Sequence, residues 1–252
     1  MRIAFSGTGN SGKTTLLKSF LYTWNNYKTP EKTYRDMLEE KELPHSSKLT
    51  TDTQESILNF MIDELQSTKK GDTIAFDRCP LDALAYSMWG HDKGVEGFTK
   101  EFVTKQINLM RESMRSIDII FLCRFDPNQV VEDDGFRDTD KNFIIEVDNI
   151  FYSLYRQYTE HPEADIFFPK GDSPCIILLP DKGQARIDLI SEYVTPEGGM
   201  YGDESSIFNQ QNIHQLEDLV KNQQAVAADE EKEKELKKKF GITDQDHPPA
   251  AL

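Results

Sequence analysis

Apolar residues along this chain recur in two rhythms, and the alternation between them lays out a fold. Ile3-Ala4-Phe5 is a short unbroken apolar run, the pattern of a strand buried on both faces. Thr73-Ile74-Ala75-Phe76-Asp77, Ile117 to Cys123 and Cys175 to Leu179 repeat it. Between these runs the apolar positions take helical spacing. One helix is predicted from Thr15 toward Asn25-Asn26. Another, capped by Thr51 or Asp52, should run to about Gln66 and carry Ile57, Leu58, Met61, Ile62 and Leu65. Three more follow: through Leu81, Leu84, Ala85, Met88 and Trp89; from about Phe98 to Arg115; and from Phe143 to Tyr158. Strands alternating with helices predict an α/β three-layer fold, a parallel sheet with helices on both faces.

Near Thr195 the rhythm stops. Pro196, Gly198, Gly199 and Gly202 break regular structure, so residues 1–195 are expected to form the main domain and 196–252 a C-terminal appendage. Within the appendage a polar helix is predicted around Ile207 to Gln223. Asp229 to Lys239 places acids ahead of bases at helical spacing, the pattern of a solvated helix or a disordered tail, with an interaction arm as the alternative.

Composition narrows the function. The chain has 252 residues, enough for one α/β domain with an appendage. Its 29 Lys and Arg against 44 Asp and Glu leave a formal charge of −15, which argues against a broad grip on DNA or RNA. A site that binds phosphate must then be built from a few placed arginines. No stretch is apolar enough to span a membrane, and glycines interrupt the N-terminal segment before a signal peptide could form, so a cytoplasmic location is expected. Cys79, Cys123 and Cys175 stand alone, without ligand or disulfide spacing, and Cys123 and Cys175 read as small core residues.

The first apolar run ends on Gly7-Thr8-Gly9-Asn10-Ser11-Gly12-Lys13-Thr14-Thr15. Strand, Gly-x4-Gly-Lys-Thr loop and helix form the phosphate-binding arrangement. The glycines let backbone N–H groups crowd around a polyphosphate, and the helix N-terminus adds partial positive charge. Gly7, Asn10, Ser11, Gly12, Lys13, Thr14 and Thr15 are therefore candidate triphosphate-binding residues, with Lys13 on the β- and γ-phosphates and Thr14 offering a hydroxyl to Mg²⁺.

Asp77-Arg78, at the end of the second clear strand, separates classes of such proteins. Motor ATPases place Asp then Glu there, the Glu activating water; an Arg cannot pull a proton from water but suits a phosphoryl acceptor or the charge of transfer. This favours phosphoryl transfer over hydrolysis, and a guanine-reading Asn-Lys-x-Asp motif does not occur. Asp77 is read as Mg²⁺ support beside Thr14; the alternative is that it caps the helix starting at Pro80. The polar stretch Asp133-Asp134-Gly135-Phe136-Arg137-Asp138-Thr139-Asp140 has the character of a lid that would bring Arg137 onto the transferring phosphoryl group. Arg124, at the end of the preceding strand, is the other candidate cation for the triphosphate. Either arginine could instead pair with neighbouring acids.

These segments together, with Tyr34-Arg35, the run from Asp77 to Tyr86, and Phe143 through Tyr155, resemble the nucleoside/nucleotide kinase-like P-loop family, which includes bacteriophage proteins and relatives of nicotinamide riboside kinase. The resemblance spans roughly residues 1–190. It implies a thymidylate-kinase-like fold, ATP and Mg²⁺ as cosubstrates, and phosphoryl transfer to a nucleoside or nucleoside monophosphate. A phage-encoded deoxynucleoside monophosphate kinase is the expected activity. A kinase of a nucleoside or of a hydroxymethylated base in DNA, and a nucleotide-binding switch with little turnover, are the alternatives. Arg78 and Arg35 would lie on the acceptor side, and Asp82 and Tyr86, one turn apart, would line the acceptor pocket. A hydroxyl acceptor would need a carboxylate base, with Asp77, Asp36 and Asp82 all open for the role. A homodimer is left open.

If Arg137 is the lid cation, Arg137→Ala removes most turnover in a coupled ADP-release assay while ATP binding weakens only modestly. An unchanged kcat would reduce the segment to an acidic surface loop.

Overall fold

The computed structural model describes residues 1–44, 48–131, 138–161, 174–180 and 182–201. Among them are four strands: β1 (Arg2–Ser6), β2 (Ile74–Asp77), β3 (Ile119–Leu122) and β4 (Cys175–Leu178). All pair in parallel, in the order β2-β1-β3-β4. The described helices are α1 (Lys13–Thr23), α2 (Tyr34–Glu40), α3 (Thr51–Gln66), α4 (Pro80–Asp92), α5 (Lys100–Met114), α6 (Lys141–Glu160) and α7 (Gln184–Ile190).

The alternation of side chains across β1 sorts the helices into two layers. Ile3 and Phe5 face α1 and α7, packing with Leu16, Leu17, Phe20 and Ile190. Ala4 faces the other way, into a core with Phe76, Leu84, Met110, Val147 and Phe151 from β2, α4, α5 and α6. Because β1 sits between β2 and β3, the chain runs to one side of β1 and then crosses to the other. The C-terminal edge of a parallel sheet opens a crevice at such a reversal.

Local chemistry sets the helix ends. Thr50, not Thr51 or Asp52, caps α3, its hydroxyl accepting from the Thr53 N–H. Thr33 and Asp36 form a capping box on α2, and Thr99 and Asp140 cap α5 and α6. The helix α7 was not anticipated by periodicity. One further expectation changes: Cys175 is exposed rather than part of the core. One compact unit runs from Met1 to Met200, with residues 195–200 packed into it. The reason is a strap after α7: Trp24 Nε1 donates to Thr195 O (2.8 Å), Asn26 Nδ2 to Glu197 O (2.9 Å) and the Tyr27 hydroxyl to Gly198 O (2.7 Å). The helices expected around 207–223 and 229–239 lie outside the described residues. No described helix is long and apolar enough to cross a membrane.

One buried group works against this fold. Gln106 on α5 is 1 % exposed, and both its amide oxygen and nitrogen lack a hydrogen-bond partner. A polar group left unpaired in a core costs about 1–3 kcal/mol. The near-isosteric Gln106→Met should therefore raise the unfolding free energy by an amount of that order, about 1 kcal/mol or more. Urea denaturation with an unchanged m-value checks it; a destabilised variant would mean the amide has a role that the packing conceals.

Candidate active site

Residues Gly7 to Gly12 connect β1 to α1 and place the phosphate-binding loop at the sheet's C-terminal edge. Gly7 has φ +136°, and a Cβ there would lie 2.3 Å from the Cys123 carbonyl at the end of β3. Only glycine permits this approach. Asn10 and Gly12 both take left-handed backbone, φ 60° and +81°. Lys13 is buried, its ammonium donating to Gly7 O (2.7 Å), Thr8 O (2.5 Å) and Ser11 Oγ (3.2 Å).

Gly12, Lys13, Thr14, Thr15 and Asp77 line an open polar cavity of about 850 Å³. Thr14 Oγ1 donates to Asp77 Oδ2 (3.0 Å), joining the loop to the end of β2. Asp77 does not cap α4; Cys79 takes that position, with Asp82 as its capping-box partner. A hydroxyl and a carboxylate at this separation are hard oxygen donors that fit Mg²⁺, which binds through one or two protein oxygens plus phosphates and water. No cluster of three or more His, Cys, Asp or Glu that could hold a metal exists among the described residues.

Arg78 has φ 89°, a left-handed conformation that a long side chain rarely adopts and that stores strain of order 1–3 kcal/mol. Its N–H donates to Phe5 O, and the reversal tucks its side chain under the loop. Nη1 donates to Gly7 O (3.2 Å) and Asp82 Oδ1 (2.8 Å), and the guanidinium lies 5.0 Å from the Tyr34 ring centre and 5.8 Å from that of Tyr86. Asp82 is 1 % exposed and also accepts from Ser6 Oγ (2.8 Å), Gly7 N (3.3 Å) and Cys79 N (3.1 Å). The Tyr86 hydroxyl accepts from Gly9 N (3.1 Å). Asp82 and Tyr86 thus face the loop from one side of α4, as their spacing implies, and both hold it.

A second cavity, of about 670 Å³, adjoins the first through Gly9, Tyr34, Arg35 and Arg78. Its walls include Asp82 and Tyr86, and its recess is apolar, built from Leu38, Ile57, Met61, Ala83 and Phe143. Arg35, Arg78, Asp82 and Tyr86 are therefore brought to one cavity, and Arg35 borders both. Arg124 lines neither. Its Nε donates to Asp148 Oδ2 (2.6 Å), and its guanidinium stacks 4.3 Å from the Tyr152 ring centre, an ion-pair role. Arg137, with Asp133 and Asp134, lies outside the described residues. Asp138 O accepts from Asn10 Nδ2 (3.3 Å), so the described C-terminal end of the expected lid stretch reaches the loop.

Several site residues escaped sequence reasoning. Gln54 on α3 lines the apolar recess, is buried, and has an unpartnered Oε1. Buried Asp148 anchors Arg124 and the Phe125 N–H, and burial raises its pKa. Gln129 and Arg186 donate to loop carbonyls. None belongs to a motif, and only tertiary placement reveals them.

The sequence matches the AAA domain family over residues 2–167. Among solved structures the fold is similar to a deoxyadenosine kinase from M. mycoides with the products dCMP and a flexible dCDP bound, at 18 % identity, covering 75 % of this chain and 96 % of that one, with a TM-score of 0.55. The same kinase with bound dATP matches at 16 % identity over 75 % of this chain and 97 % of that one, TM-score 0.51. A NadR protein in complex with NR is also similar, at 18 % identity over 76 % of this chain but 49 % of that chain, TM-score 0.51. No curated protein matches the sequence.

The Lys13 ammonium carries a consequence for pH. Burial, and then repulsion from Arg78, lower its pKa to about 7, against the attraction of Asp82 and Asp77. A bound polyphosphate restores the charged form, so the complex holds more protons than the free protein above pH 7. Nucleotide binding should take up close to one proton at pH 8 and little at pH 6, with affinity falling as pH rises through that window. Titration calorimetry in two buffers of different ionisation enthalpy measures this; pH-independent affinity without proton uptake would show that Lys13 stays charged throughout.

Proposed function

This chain belongs to the AAA domain family and has the fold of P-loop nucleoside and nucleotide kinases, and from that premise we propose that it transfers the γ-phosphoryl group of ATP, with Mg²⁺, to a deoxynucleoside monophosphate. The observation that carries the acceptor is the state of the carboxylates. The two carboxylates that line the apolar cavity are both engaged, Asp82 by Arg78 and the loop and Asp138 by the Asp140 N–H; of the other two candidate bases, Asp77 lines the polar cavity and accepts from the Thr14 hydroxyl, and Asp36 lines neither cavity and is bound to Thr33 at the start of α2. A hydroxyl acceptor needs a base to take its proton. A phosphate acceptor is already anionic and needs cations and position, which Arg35 and Arg78 offer at the junction of the two cavities.

In this reading the nucleobase enters the recess of Leu38, Ile57 and Met61, and Gln54 Oε1 accepts a hydrogen bond from its edge. The acceptor phosphate lies between Arg35 and Arg78, facing the loop across Gly9. Arg78 is immobilised by Asp82 and Gly7 and flanked by two tyrosine rings, so its charge is oriented before the acceptor arrives. Lys13 leaves the loop carbonyls for the β- and γ-phosphates, gaining a phosphate for each contact it gives up. Thr14 and Asp77 would hold Mg²⁺, which when bound screens the triphosphate charge. Tyr86, through Gly9 N, keeps the loop aligned with the acceptor. The deoxy form is proposed by likeness to the deoxyadenosine kinase structure that contains dCMP.

A coupled ADP-release assay over nucleosides and their monophosphates tests the reading. Turnover should appear with one or more deoxynucleoside monophosphates and be negligible with nucleosides. Arg78→Lys should lower kcat/KM for the acceptor about a hundredfold while ATP affinity stays within a few-fold. Turnover confined to nucleosides would overturn the phosphate acceptor, and ATP binding without turnover on any acceptor would favour a nucleotide-dependent switch.

A further inference from the structure

Two side chains remote in sequence hold the outer carbonyls of the phosphate-binding loop. Arg186 on α7 is 4 % exposed; Nη1 donates to Ser11 O (2.7 Å), Nε to Pro180 O (2.8 Å) and Nη2 to Arg124 O (3.4 Å). Gln129, in the connection after β3, donates from Nε2 to Asn10 O. One guanidinium therefore joins the ends of β3 and β4 to the loop, and one amide joins the loop to the segment leading toward residues 132–137.

The peptide plane turns these tethers into a statement about the ligand side. A trans peptide points its C=O and the next residue's N–H in opposite directions. Holding Ser11 O toward the protein body directs the Gly12 N–H the other way, and holding Asn10 O does the same for the Ser11 N–H. That other side is the polar cavity, which Ser11 and Gly12 both line. Gly12 allows the arrangement twice. Its left-handed backbone suits glycine, and a Cβ there would come to 3.3 Å from Arg186 Nη1. A cation on the Ser11 carbonyl also polarises that peptide and makes its N–H a stronger donor.

We propose that Arg186, assisted by Gln129, is a positioning residue that locks the Asn10–Ser11 and Ser11–Gly12 peptides so that their N–H groups converge on the triphosphate. Arg186 lines neither cavity and acts only through the loop; Gln129 borders the polar cavity, but its Nε2 is turned onto Asn10 O, so the two together hold a nest whose shape would otherwise have to form on binding. The proposal rests on the reading of this loop as the triphosphate site.

The test compares wild type, Arg186→Met, Arg186→Lys and Gln129→Ala, each full length, by titration with Mg²⁺·ATP and by hydrogen exchange at the loop amides. Arg186→Met should weaken ATP binding about tenfold or more, the scale of a hydrogen bond to a charged donor, and speed exchange at Gly12. Arg186→Lys should recover part of the loss, because an ammonium can keep one of the carbonyls but not the fork. Gln129→Ala, at a half-buried loop position, should weaken ATP binding several-fold with an unchanged melting temperature, so the proposal stays testable if Arg186→Met does not fold. The KM for ATP should rise in each variant with a smaller change in kcat. A folded variant at either position that binds ATP within twofold of wild type, with loop exchange unaltered, overturns the tether. Wild-type protein that binds no ATP would instead remove the reading of the loop itself.

Discussion

The buried carboxylate of Asp82 is the contact on which the site depends. Ser6 at the end of β1, Gly7 at the start of the loop, Arg78 and the Cys79 N–H at the start of α4 all donate to it. One side chain thereby sets the distance between the phosphate-binding loop, the Arg78 guanidinium and the helix that walls the second cavity. Its charge also makes the buried guanidinium of Arg78 tolerable. A charge left unpaired in such a position costs several kcal/mol, so the pair is worth more as a constraint on geometry than as a source of stability. The strained φ of Arg78 is kept because the sheet hydrogen bond to Phe5 O, the Asp82 pair and the tyrosine rings all demand the same placement.

Around this pin the site is crowded with buried positive charge before any phosphate is present. Burial, and then repulsion from Arg78, make the Lys13 charge harder to keep and pull its pKa down to about 7, whereas for Arg78 burial is outweighed by Tyr34, Tyr86 and Asp82, which hold it charged. An entering polyphosphate relieves both costs together. This local arrangement is compatible with an anionic ligand despite the net charge of −15: the described cations of the site are few and enclosed, while Asp82 and Asp148 are the only buried acids among the described residues.

The two cavities differ in character along the same boundary. Toward the loop the walls are hydroxyls, amides and Lys13; toward α2 and α3 they are Leu38, Ile57 and Met61. Arg35 stands on the line between them because Thr33 and Asp36 cap α2 just beside it and bring its first turn to the cavity edge. A molecule with a flat, sparingly polar end and a phosphate end matches that gradient, and Gln54, with its open amide oxygen, supplies a polar reader within the apolar half.

How much of this could be read in the chain follows the range of each interaction. Local signals were legible. The apolar runs gave the four strands, helical spacing gave α1 and α3 to α6, and Gly-x4-Gly-Lys-Thr with Asp77-Arg78 identified the loop, its lysine and the acid beside Thr14, because each depends on neighbours within a turn or a strand. The helix α7 was missed since seven residues are too few to show a period, and with it Arg186, whose partner Ser11 is 175 positions away. Arg124 stood open between a triphosphate cation and an ion-pair partner until α6 brought Asp148 and Tyr152 against it. Gln54 and Gln106 look alike in sequence, one polar residue each on an amphipathic helix, yet the packing opens a cavity beside the first and encloses the second. The sequence by itself determined the layers and marked the phosphate-binding loop. Which cations face the ligand, which carboxylates remain available and which amide meets an empty space were decided only when distant segments packed, because hydrogen-bond satisfaction and desolvation are properties of the surroundings and not of the residue.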